Sequence, residues 1–419
     1  MNPQLFLQRA CQFVITLSLL GSPAVTAATP GELDTSFSPN PEIARTVTSF
    51  SIIDRHLYPA WVPSAAVYRR LREDGSVDDT WRITAPLQGS IFSVSPSPWG
   101  GWVLQAQSRA HLMQRDGTFT QISRAGFSPH GIAPIYTTDD GSWVTMAVDG
   151  MTRVRPDGRL DLNARRDSQL RSLAFVKTGG GSISLGANTW NVVVRDTQGR
   201  LILGGTFQSV AGEPRIGLAR LLPDGQLDRT WNPGPALGLA KTPWADPEEL
   251  AKLDPLIEVP TEFITAQPTA LALGTNDSVL IAIEEATPNG GPDRRLAIVD
   301  AQGKVVSTFP DTSLRNPHLM RMQPDGRIFL GGGLMTEWNG TPVGNLIRVE
   351  ADGTLDPSFQ VSLAPAESMV YDFALDDAGR LWISGGFESV NGVARPGLAR
   401  LHASLPSPVP VTLKPTHRR

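Results

Sequence analysis

Few residues in this chain combine type and spacing in a way that could do chemistry. His130 and His318 each stand just ahead of an apolar, strand-like run, where an imidazole could bind zinc or move a proton. They lie at different offsets from the glycines that follow, Gly141 and Gly326, and neither has a second histidine or a carboxylate at ligand spacing. Gly179-Gly180-Gly181-Ser182 could wrap an anion in backbone amides. It lacks the Lys-Ser/Thr and the strand–helix setting of a phosphate loop, and reads as a linker. Asp246, Glu248, Glu249, Asp254, Glu258 and Glu262 could gather round calcium, but their spacing is not that of a calcium loop and they read as a solvated helix face. The apolar runs that read as innermost strands hold a single carboxylate, Asp372, and general acid–base work needs a positioned pair. Neither a metal nor a cofactor is implied, and no residue is assigned a catalytic role.

The elements that must position these residues are repeats. The stretch from Gly199 to Trp231 recurs from Gly326 to Phe359 and, shortened, from Gly379 to Leu401, and self-similarity of this kind decides an architecture. In the first copy, Asn191 to Arg195 is an apolar run (strand A) and Gln198-Gly199 turns the chain into strand B at Leu201 to Leu203. A looser connection through Ala211-Gly212 leads to strand C at Leu218 to Leu222, and Pro223-Asp224-Gly225 turns it into strand D, ending at Trp231. Short strands between regular turn signals predict an all-β fold, and four antiparallel strands of this length make one propeller blade.

Turn arithmetic sharpens this. A three-residue loop at Pro223 to Gly225 sets Leu222 opposite Gln226 and Arg220 opposite Asp228. The same offset pairs Arg70 with Asp78, Arg153 with Asp161, and Arg348 with Asp356. Two repeats have Leu112 and Ile298 in place of the arginine, and these also lack the aspartate, with Thr120 and Val306 there. Residues that come and go together behave as a cross-strand pair. As exposed structural ion pairs they would contribute only about 0–1 kcal/mol each and serve mainly to set register.

The 419 residues include 40 Gly and 35 Pro, with 19% charged and a formal net charge of −4, a composition that suits a soluble β-rich chain. Mild acidity without a basic stripe argues against a nucleic-acid partner. Residues 1–27 have the form of a signal peptide, with Arg9, an apolar core from Phe13 to Leu20, and small residues at Val25-Thr26-Ala27. The apolar run is too short to span a bilayer, so no transmembrane segment is expected. Cys11, the only cysteine, lies inside that peptide, which leaves the exported chain neither disulfides nor thiolate metal sites. Export by a bacterium to the periplasm or beyond follows, with one domain over 28–405 and a proline-rich basic tail over 406–419. Two insertions, 163–189 and 232–267, stretch the repeat spacing, and the second holds a helix start at Asp246.

An apolar strand, a D-G turn, a strand ending in Gly-Gly, an N-G turn, A-R-L, and then D-G-x-L-D-x-[ST]-[FW] resembles the bacterial delta-60 repeat. The match is good at 191–231, 318–359 and 370–401, and partial at 31–37, 67–81, 151–161 and 270–309. The resemblance implies a β-propeller in a secreted or surface-associated protein and carries no catalytic residues. The chain opens with GELDTSF (Gly31 to Phe37), a D strand without its C, and ends with GLARL (Gly397 to Leu401), a C strand without its D. Joining them completes a seven-bladed β-propeller of four-stranded blades, the last closed by the N-terminal strand, with Arg400 opposite Asp34.

The leading functional expectation is a non-catalytic binding propeller for a protein or glycan. A polysaccharide- or lactone-active hydrolase using Asp372 and His318, or a purely structural surface module, stays open beside it. Alternating strand direction puts A–B and C–D turns on one face, and the B–C loops, D-to-A links and both insertions on the other. Trp190, Trp244 and Trp338 lie on that second, loop-rich face and are the ligand-binding candidates.

Overall fold

The computed structural model describes residues 28–60, 68–81, 91–97, 101–106, 109–114, 119–123, 136–137, 142–147, 150–155, 190–205, 207, 209–210, 212–223, 226–239, 241–243, 262–264, 266–286, 292–310, 319–333 and 335–403. The signal-like segment, the helix start at Asp246, both histidine candidates, the Gly179–Ser182 run and the tail lie outside them. Among the described residues the structure is all-β apart from single turns of helix, and no helix is long and apolar enough to cross a membrane.

Antiparallel sheets follow one another along the chain. Among the described residues, seven of these sheets open with an A strand: Ser49–Ile53, Ile91–Pro96, Tyr136–Thr137, Trp190–Arg195, Ala266–Leu273, Leu319–Met322 and Val370–Leu375. The A strand at Ser49–Ile53 touches both Ile91–Pro96 and Val370–Leu375, so the first and last sheets are neighbours. Strand B is buried at every position in Leu201–Gly205 and Ile328–Gly331, as a strand covered on both faces must be. Its terminal glycines serve close packing: a Cβ on Gly204 would lie 2.7 Å from Val192 and 3.0 Å from Pro268 in the next A strand, and one on Gly331 2.8 Å from Phe373.

Strand D departs from expectation, and the arginine explains how. Among the described residues, only the two sheets without the Arg–Asp pair have four full strands: Ile91–Pro96 to Phe119–Ser123, and Ala266–Leu273 to Val305–Pro310. Leu112 faces Thr120 as expected, whereas Ile298 faces Ser307 because a bulge displaces Val306. Where the pair is present, D shrinks to one bridge: Leu71 with Val77, Leu221 with Leu227, Val349 with Leu355, and Leu33 with Leu401. Asp228 N still donates to Arg220 O at 2.8 Å, but its Oδ1 then accepts from Thr230 N and Oγ1 at 3.0 and 2.6 Å, which turns the backbone out of the ladder. Asp34 with Ser36, Asp78 with Thr80, and Asp356 with Ser358 repeat this turn.

The pairs are not exposed, so the figure for an exposed pair does not apply to them. Arg348, Arg400 and Arg220 are 0%, 1% and 4% exposed. Arg400 Nε donates to Asp34 Oδ2 at 2.7 Å and Nη2 to Ser36 Oγ at 2.9 Å. Its guanidinium lies against the rings of Phe37 and Trp382, at 5.2 and 4.8 Å. Arg348 is held in the same way by Asp356, Ser358, Phe329 and Phe359, and Arg220 by Asp228 and Trp231. Arg70 meets Asp78 at 2.7 Å and stacks on Trp81. Arg153 lies in strand Gly150–Val154, and its partner position Asp161 is outside the described residues.

Three of these arginines also reach the next sheet. Arg220 Nη1 donates to Ala301 O, Arg348 Nη1 to Ala403 O, and Arg400 Nη1 to Glu73 O. All three carbonyls lie three residues beyond the C-strand position matching the arginine, here Ile298, Arg400 and Arg70. The step from Arg400 to Glu73 runs from the C-terminal to the N-terminal part of the chain. Gly31 N donates to His402 O, Asp34 N to Arg400 O and His402 N to Glu32 O, so residues 31–34 extend the last sheet. Phe37, Phe50, Leu57, Leu71, Trp382 and Leu398 share one core cluster there.

Removing one member of a buried pair strands the other charge, at a cost of about 3–5 kcal/mol. Arg348→Leu alone should therefore lower the stability from chemical denaturation by that order. Arg348→Leu with Asp356→Thr, which copies the Leu112/Thr120 repeat, should lose clearly less than the two single changes summed. Burial works to raise the Asp78 carboxyl, but bonds from Thr80 and Arg70 outweigh it and bring it from 3.8 to about 2. Asp34, Asp228 and Asp356 are lowered by the same balance. Because the unfolded chain takes up these protons first, the stabilisation is complete above pH ~4 and drains away as pH falls toward the folded values. Urea midpoints measured from pH 7 down to pH 3 should fall most steeply below pH ~4.

Candidate functional site

A second regularity lies at the start of the A strands. Register slips by one residue between Ile91 and Ser93, Trp190 and Val192, Pro268 and Ala270, and Val370 and Asp372. The extra residues are Phe92, Asn191, Thr269 and Tyr371, each four residues before its strand's last paired position at Pro96, Arg195, Leu273 and Leu375. A bulge leaves one residue outside the ladder and re-aims its side chain. These bulges sit where D-to-A links enter the inner strands, on the loop-rich side.

That side is built from small hairpins inside the B–C loops. Ser209–Val210 pairs with Glu213–Pro214, Glu337–Trp338 with Thr341–Pro342, and Ser389–Val390 with Val393–Ala394. Asn339 and Gly340 at φ 49° and 77°, and Asn391 and Gly392 at φ 50° and 78°, form the two-residue turns that Asn-Gly favours. Leu363–Ala364, in a D-to-A link, pairs with Ser389–Val390, so links and B–C loops meet on one face as alternating strand direction requires.

Near that mouth the exposed apolar side chains are Met369 and Tyr371, at 43% and 44%. They lie over glycines: a Cβ on Gly333 would be 2.6 Å from Met369 Cε, and one on Gly386 3.1 Å from the Tyr371 hydroxyl. Arg321, on the neighbouring A strand, is exposed and lies 6.0 Å from the Phe373 ring. Asp372 is partly buried, and its Oδ2 accepts from Ser49 Oγ at 2.7 Å and Phe50 N at 3.2 Å. Burial raises its carboxyl above 3.8 despite these bonds and the Arg321 charge. Asp372 thus ties the last A strand to the first. Among the described residues no three His, Cys, Asp or Glu side chains gather as metal ligands would.

The tryptophans divide. Trp338 is 1% exposed, donates its indole N–H to Gly353 O at 2.8 Å and packs against Phe309. The hairpin leans back over its own C–D turn, so Trp338 is core and offers no stacking face. Trp190 begins an A strand opposite Gly205, and Trp244 lies outside the described residues. Sequence reasoning passed over Met369 and the bulge positions; the available signal was an exposed-type apolar residue set against a Gly-Gly strand end. A separate cleft of about 580 Å³, lined by both polar and apolar groups, lies between Ser358–Ser362 and Thr29–Glu32, beside Asn391. There Asn391 Nδ2 donates to Gly31 O at 2.9 Å, as Asn339 Nδ2 does to Gly353 O at 3.4 Å.

The fold is that of an all-β propeller. Residues 199–230 and 323–359 match the family described as a domain of unknown function (DUF5122) beta-propeller. No curated protein matches the chain. Among solved structures it is similar to virginiamycin B lyase from Staphylococcus aureus, at 10% identity over 85% of this chain and 94% of that one, TM-score 0.47. It is also similar to the extracellular domain of a putative hybrid two-component system from B. thetaiotaomicron, at 11% identity and TM-score 0.46, covering 88% of this chain but only 39% of that one. A gluconolactonase from Xanthomonas campestris matches at 16% identity over 90% and 97% of the two chains, with TM-score 0.35.

The bonds to Asp372 define a test. Asp372→Asn keeps an acceptor for Ser49 and Phe50 and should change stability by less than about 1 kcal/mol at neutral pH. Asp372→Leu leaves both donors unmet and should cost about 1–3 kcal/mol. Since a raised carboxyl binds its proton more readily when folded, its contribution falls as pH rises from 3.8 through the folded value. Asp372→Asn should remove that decline from the stability–pH profile.

Proposed function

We propose that this chain is an exported, non-catalytic binding propeller that presents its loop-rich face to a protein or glycan. In this reading residues 1–27 direct export from a bacterium, to the periplasm or beyond, and 406–419 are a basic tail. Residues 28–405 form a seven-bladed ring of delta-60-like repeats, closed where residues 31–37 join the last blade. The observation that carries the reading is how the polar chemistry is disposed. The described repeat arginines and aspartates hold one another, and Asp372 is engaged by Ser49 and Phe50, while Met369 and Tyr371 stand exposed on the face that carries the hairpins. A rigid scaffold with exposed apolar residues among loops suits recognition. Trp244, on the 232–267 insertion, joins them as a sequence-based candidate.

Residues 28–419 should bind within a panel of glycans and extracellular bacterial proteins. Trp244→Ala with Met369→Ser should weaken that binding at least about tenfold, the scale of a lost aromatic and apolar anchor. Gln302→Ala with Lys304→Ala, on the turn face, should leave it unchanged. The opposite pattern would move the site to the turn face and defeat the reading.

A further inference from the structure

Equivalent corners of the last two sheets are filled differently. In the sheet opened by Leu319–Met322, the hairpin residue Trp338 donates its indole N–H to Gly353 O at 2.8 Å, and Asn339 Nδ2 adds a second donor at 3.4 Å. Both lone pairs of that carbonyl are thereby engaged. Phe309 of the preceding sheet meets the indole edge-on, with ring centroids 6.3 Å apart. In the sheet opened by Val370–Leu375, the hairpin reads Ser389-Val390-Asn391-Gly392 against Glu337-Trp338-Asn339-Gly340. Val390 thus stands in the place of Trp338, and Gly31 of GELDTSF in the place of Gly353 of GTLDPSF. Asn391 Nδ2 still donates to Gly31 O, at 2.9 Å. Valine has no N–H, and among the described residues no second donor to Gly31 O replaces the indole.

The cleft of about 580 Å³ opens at this corner, and its size is that of a ligand pocket. Pro30 and Glu32, on either side of Gly31, line one wall; Pro357 and Val361, from the preceding sheet, line the other, with Asn391 beside them. The prolines and the valine offer apolar contact. Glu32 is the only charged residue in the lining, and its Oε2 accepts from Thr29 N at 3.0 Å and Oγ1 at 3.3 Å. A carboxylate beside a carbonyl with a lone pair to spare calls for a donor and repels an anion. The occupant therefore needs an apolar body that carries an N–H. An indole has both, and Trp338 shows the equivalent carbonyl accepting one.

We propose that this cleft is a docking site for a tryptophan side chain of a partner polypeptide, its indole N–H donated to Gly31 O as Trp338 donates to Gly353 O within the chain. The ring faces rest on Pro30 and Val361, and the partner's backbone meets the exposed Gln360 and Ser362 at the rim. The site lies at the seam where residues 31–34 join the last sheet. It shares no lining residue with the exposed pair Met369 and Tyr371, so it stands apart from the loop-face reading above.

The test is calorimetric titration of residues 28–419 with N-acetyl-tryptophanamide, with thermal unfolding to check that each variant folds. The probe should bind with a Kd of about 1 mM or below, the scale for a ligand of its size. Its 1-methylindole derivative, which cannot donate, should bind at least about fivefold more weakly, the scale of one hydrogen bond. Val390→Trp, which copies the filled corner, should abolish binding. Ser362→Trp, at the exposed rim, should do the same without entering the core, and decides the matter where Val390→Trp fails to fold. Tyr371→Ala on the loop face should leave binding unchanged. Absence of binding, or equal binding of the methylated and unmethylated probes, overturns the proposal. Binding that survives Ser362→Trp but is lost in Tyr371→Ala overturns it too, and leaves the loop-face reading intact. Equal binding by N-acetyl-prolinamide would assign the cleft to a proline-rich peptide instead.

Discussion

A buried guanidinium that answers to two sheets at once is the interaction on which this structure depends. In Arg348 and Arg400, Nε and Nη2 are satisfied by the aspartate and by the serine two residues later, and Nη1 by a carbonyl of the next repeat. Aromatic rings stack on the guanidinium, as Phe37 and Trp382 do on Arg400. An ion pair in a dry interface repays its desolvation only when its geometry is good and further hydrogen bonds satisfy the remaining groups, and Arg348 and Arg400 each place all three nitrogens on acceptors. The D-x-[ST]-[FW] motif is therefore one physical unit: acceptor, turn-maker and lid. It also shortens strand D to a single bridge, so side-chain chemistry replaces part of the backbone ladder. Where the arginine is missing, as at Leu112 and Ile298, D is again a strand of five or six residues, with one bulge in each ladder.

Much of this could be read in the sequence because repeats supply their own controls. The joint loss of arginine and aspartate in two copies, with turn arithmetic, pointed to contacts such as Arg220–Asp228 and Arg400–Asp34. Burial of those contacts was not legible, since the covering carbonyls of Ala301, Ala403 and Glu73 come from the following repeat. Nor were the bulges, because one extra residue in an apolar run looks the same as a longer strand. Trp338 misled for a related reason. It stands in a B–C loop by sequence, yet the Asn339-Gly340 turn folds that loop into a hairpin that delivers the indole to Gly353. The helix Pro41–Ala44, capped by Asn40, is too short to leave a periodic signal, although the Asn-Pro pair marks its start.

Inter-repeat contacts lie in strands C and D, at the Gly-Gly ends of B, and in the A strands, where Asp372 holds Ser49 and Phe50. Residues 31–34 add backbone bonds to the outer edge of the last sheet, with a single bridge from Leu33 to Leu401.

The most direct measurement is a pair of double-mutant cycles, one on Arg400 and Asp34, which lie 366 residues apart, and one on Arg220 and Asp228, which lie 8 apart. If the buried clasp joins the chain ends as it joins strands within a repeat, the two coupling energies should agree, each on the order of 2 kcal/mol. A coupling near zero for Arg400 and Asp34 beside a large one for Arg220 and Asp228 would contradict the account.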